Sequence, residues 1–252
     1  YISDIGGPTG NMYKISCKIH NTVGMCKDKK CMYPSICKNL VFSHDKQMDL
    51  LERSKENAKI KKVFVSSGIR HDLIIADKEN GKKYLEFISK NNISGQLKIA
   101  PEHTADNVLD AMNKPKQESF KQFVEMFTGI NKDLNQFLTC YFMVAHPCCS
   151  LDNIKELLVF IKKNLQFKPE QVQVFTPTPS TYSTLMYYSE RDINGNEIFV
   201  EKDRNGRMKQ KLTITQGFEK KSGHHSFRRN PNHHSSYSGS RKSGPASYRK
   251  KY

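Results

Sequence analysis

Tryptophan is absent from the 252 residues, and no run of 18 apolar residues occurs among them. A helix crossing the hydrocarbon layer needs about 20 consecutive apolar residues, so no membrane partner is expected. The chain opens on YISDIGG instead of a basic, then apolar, then small-residue leader, which predicts a cytoplasmic protein. Acidic residues are scarce, 25 against 41 Lys and Arg. Hydrophobic residues make up 37%, enough for one sizeable core with polar extensions. The two-residue C-x2-C knuckle of structural zinc sites is missing, and so is any C-x3-C-x2-C triad. An odd count of seven cysteines in a lysine-rich chain without a leader also argues against a disulfide framework.

What is present begins with CKIHNTVGMCKDKKCMYPSIC, which places Cys17, Cys26, Cys31 and Cys37 at gaps of eight, four and five residues. Residues 14–39 are lysine-rich and hold few large apolar side chains, so the segment has no core of its own and a metal would order it. The spacing leaves three readings open: an iron–sulfur cluster, zinc, or unliganded thiols. The nearby lysines Lys18, Lys27, Lys29, Lys30 and Lys38 favour thiolate formation.

Strand-like runs alternate with helical periodicity along the rest of the chain. The strands are YISDI from Tyr1, VFVSSG from Val63, QLKIA from Gln96, FLTCYFMVA from Phe137 and VQVFT from Val172. Between them, Phe120, Phe123, Val124, Phe127 and Ile130 form one helical stripe, and Leu151, Ile154, Leu157, Leu158 and Ile161 another. This alternation predicts an α/β fold with a parallel sheet and right-handed crossovers, open or closed into a barrel. Strand starts at 63, 96, 137 and 172 keep a regular βα spacing, whereas the interval from residue 1 to 63 is far longer. The excess is the cysteine segment, an insertion in a βα loop on the C-terminal edge of the sheet, where such folds place their chemistry.

From Gly217 to Tyr252 nine Lys or Arg face one Glu, with Ser, Gly and His filling the rest. Such a composition cannot bury enough surface to offset its ordering entropy, so a disordered basic tail is expected at 217–252. Its cations could bind nucleic acid weakly and without specificity, with Phe227, Tyr237 and Tyr248 able to stack on bases.

Six stretches in order, ISDIGGPTGNMYKISC, the cysteine segment ending YPSICKNL, VFVSSGIRHDL, LKIAPEHTADNVLDAMNKP, YFMVAHP and QVQVFTPTPSTYSTLMYY, resemble the YgiQ-type radical S-adenosylmethionine (SAM) proteins. The resemblance covers residues 1–190, leaves 191–216 as the start of a C-terminal extension, and implies a partial (β/α)6 barrel. It also implies a [4Fe-4S] cluster that donates an electron to SAM, and a resulting radical that takes hydrogen from a substrate of unknown identity. By that resemblance Gly6 and Gly7 sit where a Gly-Gly turn exposes backbone carbonyls to the SAM amino group. Arg70, with Ser67 beside it, falls where a planar fork would hold the SAM carboxylate. Glu102, followed by His103, falls where a carboxylate would hold the ribose, and His146 lies near the adenine. Without the resemblance, each of these is an ordinary turn glycine, surface arginine, cap or structural histidine.

Two departures from the family pattern bear on function. The triad that would hold the SAM cluster does not occur, so it is expected upstream of Tyr1, and this fragment is expected to be inactive in SAM cleavage. Cys17, Cys26, Cys31 and Cys37 would then form a separate, auxiliary iron–sulfur site over the barrel mouth. Cys148 and Cys149 stand where the family has Gly-Thr, which puts close backbone approach there in question. The competing function is a metal-stabilised RNA-binding protein acting through the basic tail.

Overall fold

The computed structural model describes residues 1–6, 9–27, 29–165 and 167–218; Gly7 and residues 219–252, most of the basic tail, lie outside them. The chain runs through β1 (Ser16–Cys17), α1 (His20–Val23), β2 (Leu40–Val41), α2 (Asp45–Glu56), α3 (His71–Ala76) and α4 (Gly81–Asn91). It continues with β3 (Gln96–Glu102), α5 (Asp106–Ala111), α6 (Gln117–Ile130), β4 (Phe137–Val144), α7 (Leu151–Phe160) and a π-helical turn, Ile161–Leu165. Last come β5 (Gln171–Val174), α8 (Tyr182–Ser189) and α9 (Arg204–Gln216).

β3, β4 and β5 form a parallel sheet in that order, with Ile99 opposite Cys140 and Val144 opposite Val174. Two further extended segments prolong it. A parallel bridge joins Ile69 to Ile99, and another joins Ile2 to Val63. The amide of Ile69 donates to Lys98 O at 2.9 Å, Phe64 N to Ile2 O at 2.9 Å and Ile5 N to Phe64 O at 3.1 Å. Five parallel tracks therefore lie side by side, at the five positions that the apolar runs of the sequence mark. Among the described residues they form an open mixed α/β arrangement and no closed barrel.

Helices cover the sheet because each carries an apolar stripe. On α6, Phe120, Phe123, Val124 and Phe127 are buried, and Phe120 stacks on Phe160 of α7 with ring centroids 5.4 Å apart. Ser150 caps α7 reciprocally with Asn153, which fixes where the chain leaves the end of β4. α9 starts at the Asp203 cap and turns Ile214 wholly inward against α7 and β5. Residues 1–218 make one compact unit.

Gly81 shows how tightly these helices meet. A Cβ built there would lie 2.0 Å from the carbonyl oxygen of Ile74 in α3, a contact with backbone that cannot swing aside. Gly129, inside α6, has nothing within 4 Å of a built Cβ. Gly81→Ala is expected to lower unfolding free energy by about 2 kcal/mol, and Gly129→Ala to raise it by about 0.5–1 kcal/mol. Urea midpoints of the two variants check this; equal effects would show that α3 and α4 do not approach so closely.

Candidate functional site

Because all five tracks run parallel, their C-terminal ends face the same way, and Asp4, Ser67, Glu102 and His146 each lie at or just past such an end. On the first two tracks, the Asp4 carboxylate accepts the backbone N–H of Ser66 at 2.8 Å and of Ser67 at 3.2 Å, and also the Ser67 hydroxyl. Burial works against its ionisation, yet these hydrogen bonds hold the Asp4 carboxyl below the usual carboxylate range. Gly6 is needed by the packing of this corner: a Cβ would lie 2.7 Å from Gly10 Cα and 3.3 Å from Ser67 Cβ.

Arg70 follows, with its guanidinium forked onto the buried Asp72 through Nε at 3.0 Å and a terminal nitrogen. Its backbone is fixed by the buried Asn11, whose Oδ1 accepts Arg70 N–H at 2.7 Å and whose Nδ2 donates to Arg70 O at 3.0 Å. That orientation sends the same Nδ2 to His44 Nε2 at 3.1 Å, so the His44 proton sits on Nδ1, facing Asp77 Oδ2 at 2.8 Å. Burial pushes the His44 pKa down although Asp77 pulls it up.

The second half of the edge lies on β3 and β4. Glu102 ends β3 with φ of 65°, and Ala145 and Cys148 follow β4 with φ of 57° and 71°. Non-glycine residues in the left-handed region are strained, and such strain gathers at functional sites. Lys114 braces Glu102, its ammonium 2.8 Å from Oε1 and donating to Ala100 O at 2.9 Å. Beside it His103 is buried and neutral. Its Nδ1 accepts Ala105 N–H at 2.9 Å, which leaves the proton on Nε2, 3.6 Å from Cys149 Sγ. Burial pushes the Cys149 thiol up to about 12, so it stays protonated and donates to Gln210 Oε1 at 3.4 Å.

Gln210, reaching in from α9, also accepts Ala145 N–H at 2.8 Å and donates to Cys149 O at 3.0 Å. It thereby ties down the turn 145–149. His146 faces Pro147 O through Nδ1 at 2.8 Å, and its Nε2 faces the Ser183 hydroxyl at 2.8 Å. Burial lowers the His146 pKa, while the hydrogen bond with Pro147 and the Glu102 charge work to raise it.

The cysteine insertion is closed at its base by antiparallel β1 and β2 and by Lys18 N–H donating to Asn39 O at 2.9 Å. Farther along, the Tyr33 hydroxyl donates to Asp110 Oδ1 of α5 at 2.9 Å, and Lys30 Nζ lies 5.0 Å from the Tyr182 ring of α8. The insertion is therefore a strap between the helix after β3 and the helix after β5. Cys26 and Cys31 are exposed, Cys17 and Cys37 half-buried. Among the described residues no three His, Cys, Asp or Glu side chains are gathered as metal ligands.

Of the residues picked from sequence, the structure brings Gly6 and Ser67 together, while Glu102 ends β3 and His146 follows β4. Arg70 stands apart on Asp72, and Gly7 is not described. Sequence reading missed Asp4, Asn11, Lys114, Ser183 and Gln210. Asp4, two residues before Gly6 at a strand end, carried a readable signal; the others depend on contacts between distant segments.

Buried His103 and His71 give the site a pH dependence. Burial pushes the His103 pKa down to about 3 and that of His71 to about 4, from an ordinary 6.5. Below 6.5 the unfolded chain takes up protons that the folded chain refuses, so stability falls as pH drops from 6.5 towards 4. The slope is about 1.4 kcal/mol per pH unit for each histidine. Asp72 and Asp77, held low, enter only below their ordinary 3.8. Urea midpoints between pH 7 and 5 check the slope; a flat profile would show solvated imidazoles.

No family model matches the chain. Over 218 residues, 85% of the chain, it is 47% identical to a UPF0313 protein of Fusobacterium nucleatum subsp. nucleatum, covering 38% of that protein. It is 45% identical over 204 residues, 80% of the chain, to a UPF0313 protein of Methanocella arvoryzae, covering 33% of it. A UPF0313 protein of Clostridium botulinum is 41% identical over 217 residues, 85% of the chain and 33% of that relative. The chain thus spans about a third of the length of the curated relatives it matches. Their names state a family and no activity. Over most of its length the chain is homologous to the UPF0313 proteins, the YgiQ-type family.

Proposed function

We propose that this chain is the SAM-facing part of a YgiQ-type radical SAM enzyme, and that the chain of 252 residues does not by itself cleave SAM. The observation that carries the reading is Glu102. It is a carboxylate in strained backbone at φ 65°, braced by Lys114 at the C-terminal end of a parallel strand, where such folds bind ligands. Homology to the UPF0313 proteins and the six family motifs support it further.

The residues present fit SAM better than they fit a cluster. Glu102 offers a carboxylate for a pair of ribose hydroxyls, held in place by the Lys114 ammonium at 2.8 Å. The backbone after the first track, around Gly6, approaches Ser67 closely and leaves main-chain groups at the same edge. His146, buried and oriented by Pro147 and Ser183, packs against the Phe175 ring with centroids 5.0 Å apart, which stiffens the turn after β4 beside which a purine would lie. Arg70 forks onto Asp72 through Nε and one terminal nitrogen, which leaves N–H directions on its other terminal nitrogen for a carboxylate. A cluster is a different matter, since the triad does not occur and the strap thiols do not converge. SAM bound beside an electron-donating cluster supplies hydrogen abstraction; this chain's contribution is to bind and orient it.

Equilibrium dialysis with SAM tests the reading. Saturable binding is expected, weakened roughly 10- to 100-fold by Glu102→Ala and less by Lys114→Ala, as for a charged hydrogen bond. The same chain, reconstituted anaerobically with iron and sulfide and reduced with dithionite, is expected to form no 5'-deoxyadenosine. Absent binding, or binding indifferent to Glu102→Ala, would sink the ligand assignment; SAM cleavage would sink the claim of dependence on the missing triad.

A further inference from the structure

Six lysines, Lys14, Lys18, Lys27, Lys29, Lys30 and Lys38, stand on the strap against one acidic residue, Asp28. All six are exposed. Among the described residues none of them forms an ion pair. The strap spans the two helices that follow β3 and β5, so this charge lies beside the edge where the candidate site collects. Around it stand tyrosines with open faces. Tyr182 is 56% and Tyr188 70% exposed on α8. Tyr13, 37% exposed, precedes the strap with Lys14 Nζ 5.8 Å from its ring, and Lys30 lies 5.0 Å from the ring of Tyr182.

We propose that the strap and α8 form a binding surface for single-stranded nucleic acid, which names the substrate class presented to the edge of the sheet. The proposal deepens the SAM reading and rests on it only for calling this ligand the substrate. Phosphates would meet the strap's excess of six lysines over one aspartate, and bases would supply flat π-faces for Tyr13, Tyr182 and Tyr188. An acidic peptide would meet the charge and leave the rings idle. A single phosphate would need converging donors, whereas these lysines are spread along the strap and face solvent. The surface is distinct from the basic tail, whose cations lie at 220–251.

The test is photo-crosslinking and fluorescence anisotropy on the full chain, without SAM, using an oligouridylate of about 12 nucleotides, within the site sizes of single-strand binders, carrying 4-thiouridine, and the matching thiothymidine DNA. Crosslinks are expected in peptides holding Tyr13, Lys30 or Tyr182. Lys27→Glu/Lys29→Glu/Lys30→Glu is expected to weaken binding at least tenfold and to reduce the salt slope by about 2, at about 0.7 for each phosphate that is no longer neutralised. Tyr182→Ala should weaken it roughly tenfold with the salt slope unchanged, because stacking releases no counterions. Tighter binding of the RNA than of the DNA arm, or the reverse, identifies the natural strand, and either supports the surface. Crosslinks confined to 219–252, equal competition by polyglutamate, or anionic vesicles displacing the oligonucleotide would each overturn it. Failure of SAM dialysis with these crosslinks intact would count against the SAM reading alone.

Discussion

Parallel pairing is the constraint from which the site follows. A parallel strand must be re-entered from the same end, so each connection crosses a face of the sheet, and every C-terminal end falls on one edge. The bridges Ile2 to Val63 and Ile69 to Ile99 extend that rule from β3, β4 and β5 to the two N-terminal tracks. Asp4, Ser67, Glu102 and His146 are distant in sequence and share an edge for this reason alone. The helices that enforce the crossovers are held by apolar stripes such as Phe120, Phe123 and Phe127, buried in a common core.

The edge is polar, and most of its buried groups are paired, the buried Thr104 hydroxyl being an exception; an unpaired buried polar group costs about 1–3 kcal/mol. Asn11 spends both ends of its amide on Arg70 and His44, and Gln210 spends both of its own on the turn 145–149. Two segments remote from the strand ends therefore set the shape of the loops at the mouth. Backbone strain remains: Cys148 at φ 71°, like Glu102 and Ala145, occupies a conformation that glycine adopts freely. Its neighbour Cys149 fills a wholly buried space between His103 and Gln210, so thiols are accommodated as small core groups.

Much of the sheet was legible because its strands are short β-branched and aromatic runs bounded by breakers, with one face buried and the other partly covered, and β4 and β5 fall within one or two residues of FLTCYFMVA and VQVFT. The helical stripes of α6 and α7 were equally plain. The run from Val63 was readable as a strand, although its pairing is reduced to single bridges. Nothing local announced that α9 would send Gln210 to the end of β4, or that Tyr33 would reach Asp110, because those contacts depend on how the chain folds back. For the four cysteines, spacing left a cluster, zinc and free thiols open; the contacts of Tyr33 and Lys30 that fix their segment as a strap could not be read from spacing. Glu102 was visible as a polar residue after a strand; its left-handed backbone and its Lys114 brace were not.

Hydrogen exchange of the full chain with and without SAM tests most directly whether this edge is the ligand-facing side. Added protection is expected at amides of residues 4–6, 66–70, 102–105 and 145–149, with the starts of β4 and β5, such as 137–139 and 171–172, unchanged. Protection confined to those strand starts, or no change at the C-terminal edge at saturating SAM, would contradict the account.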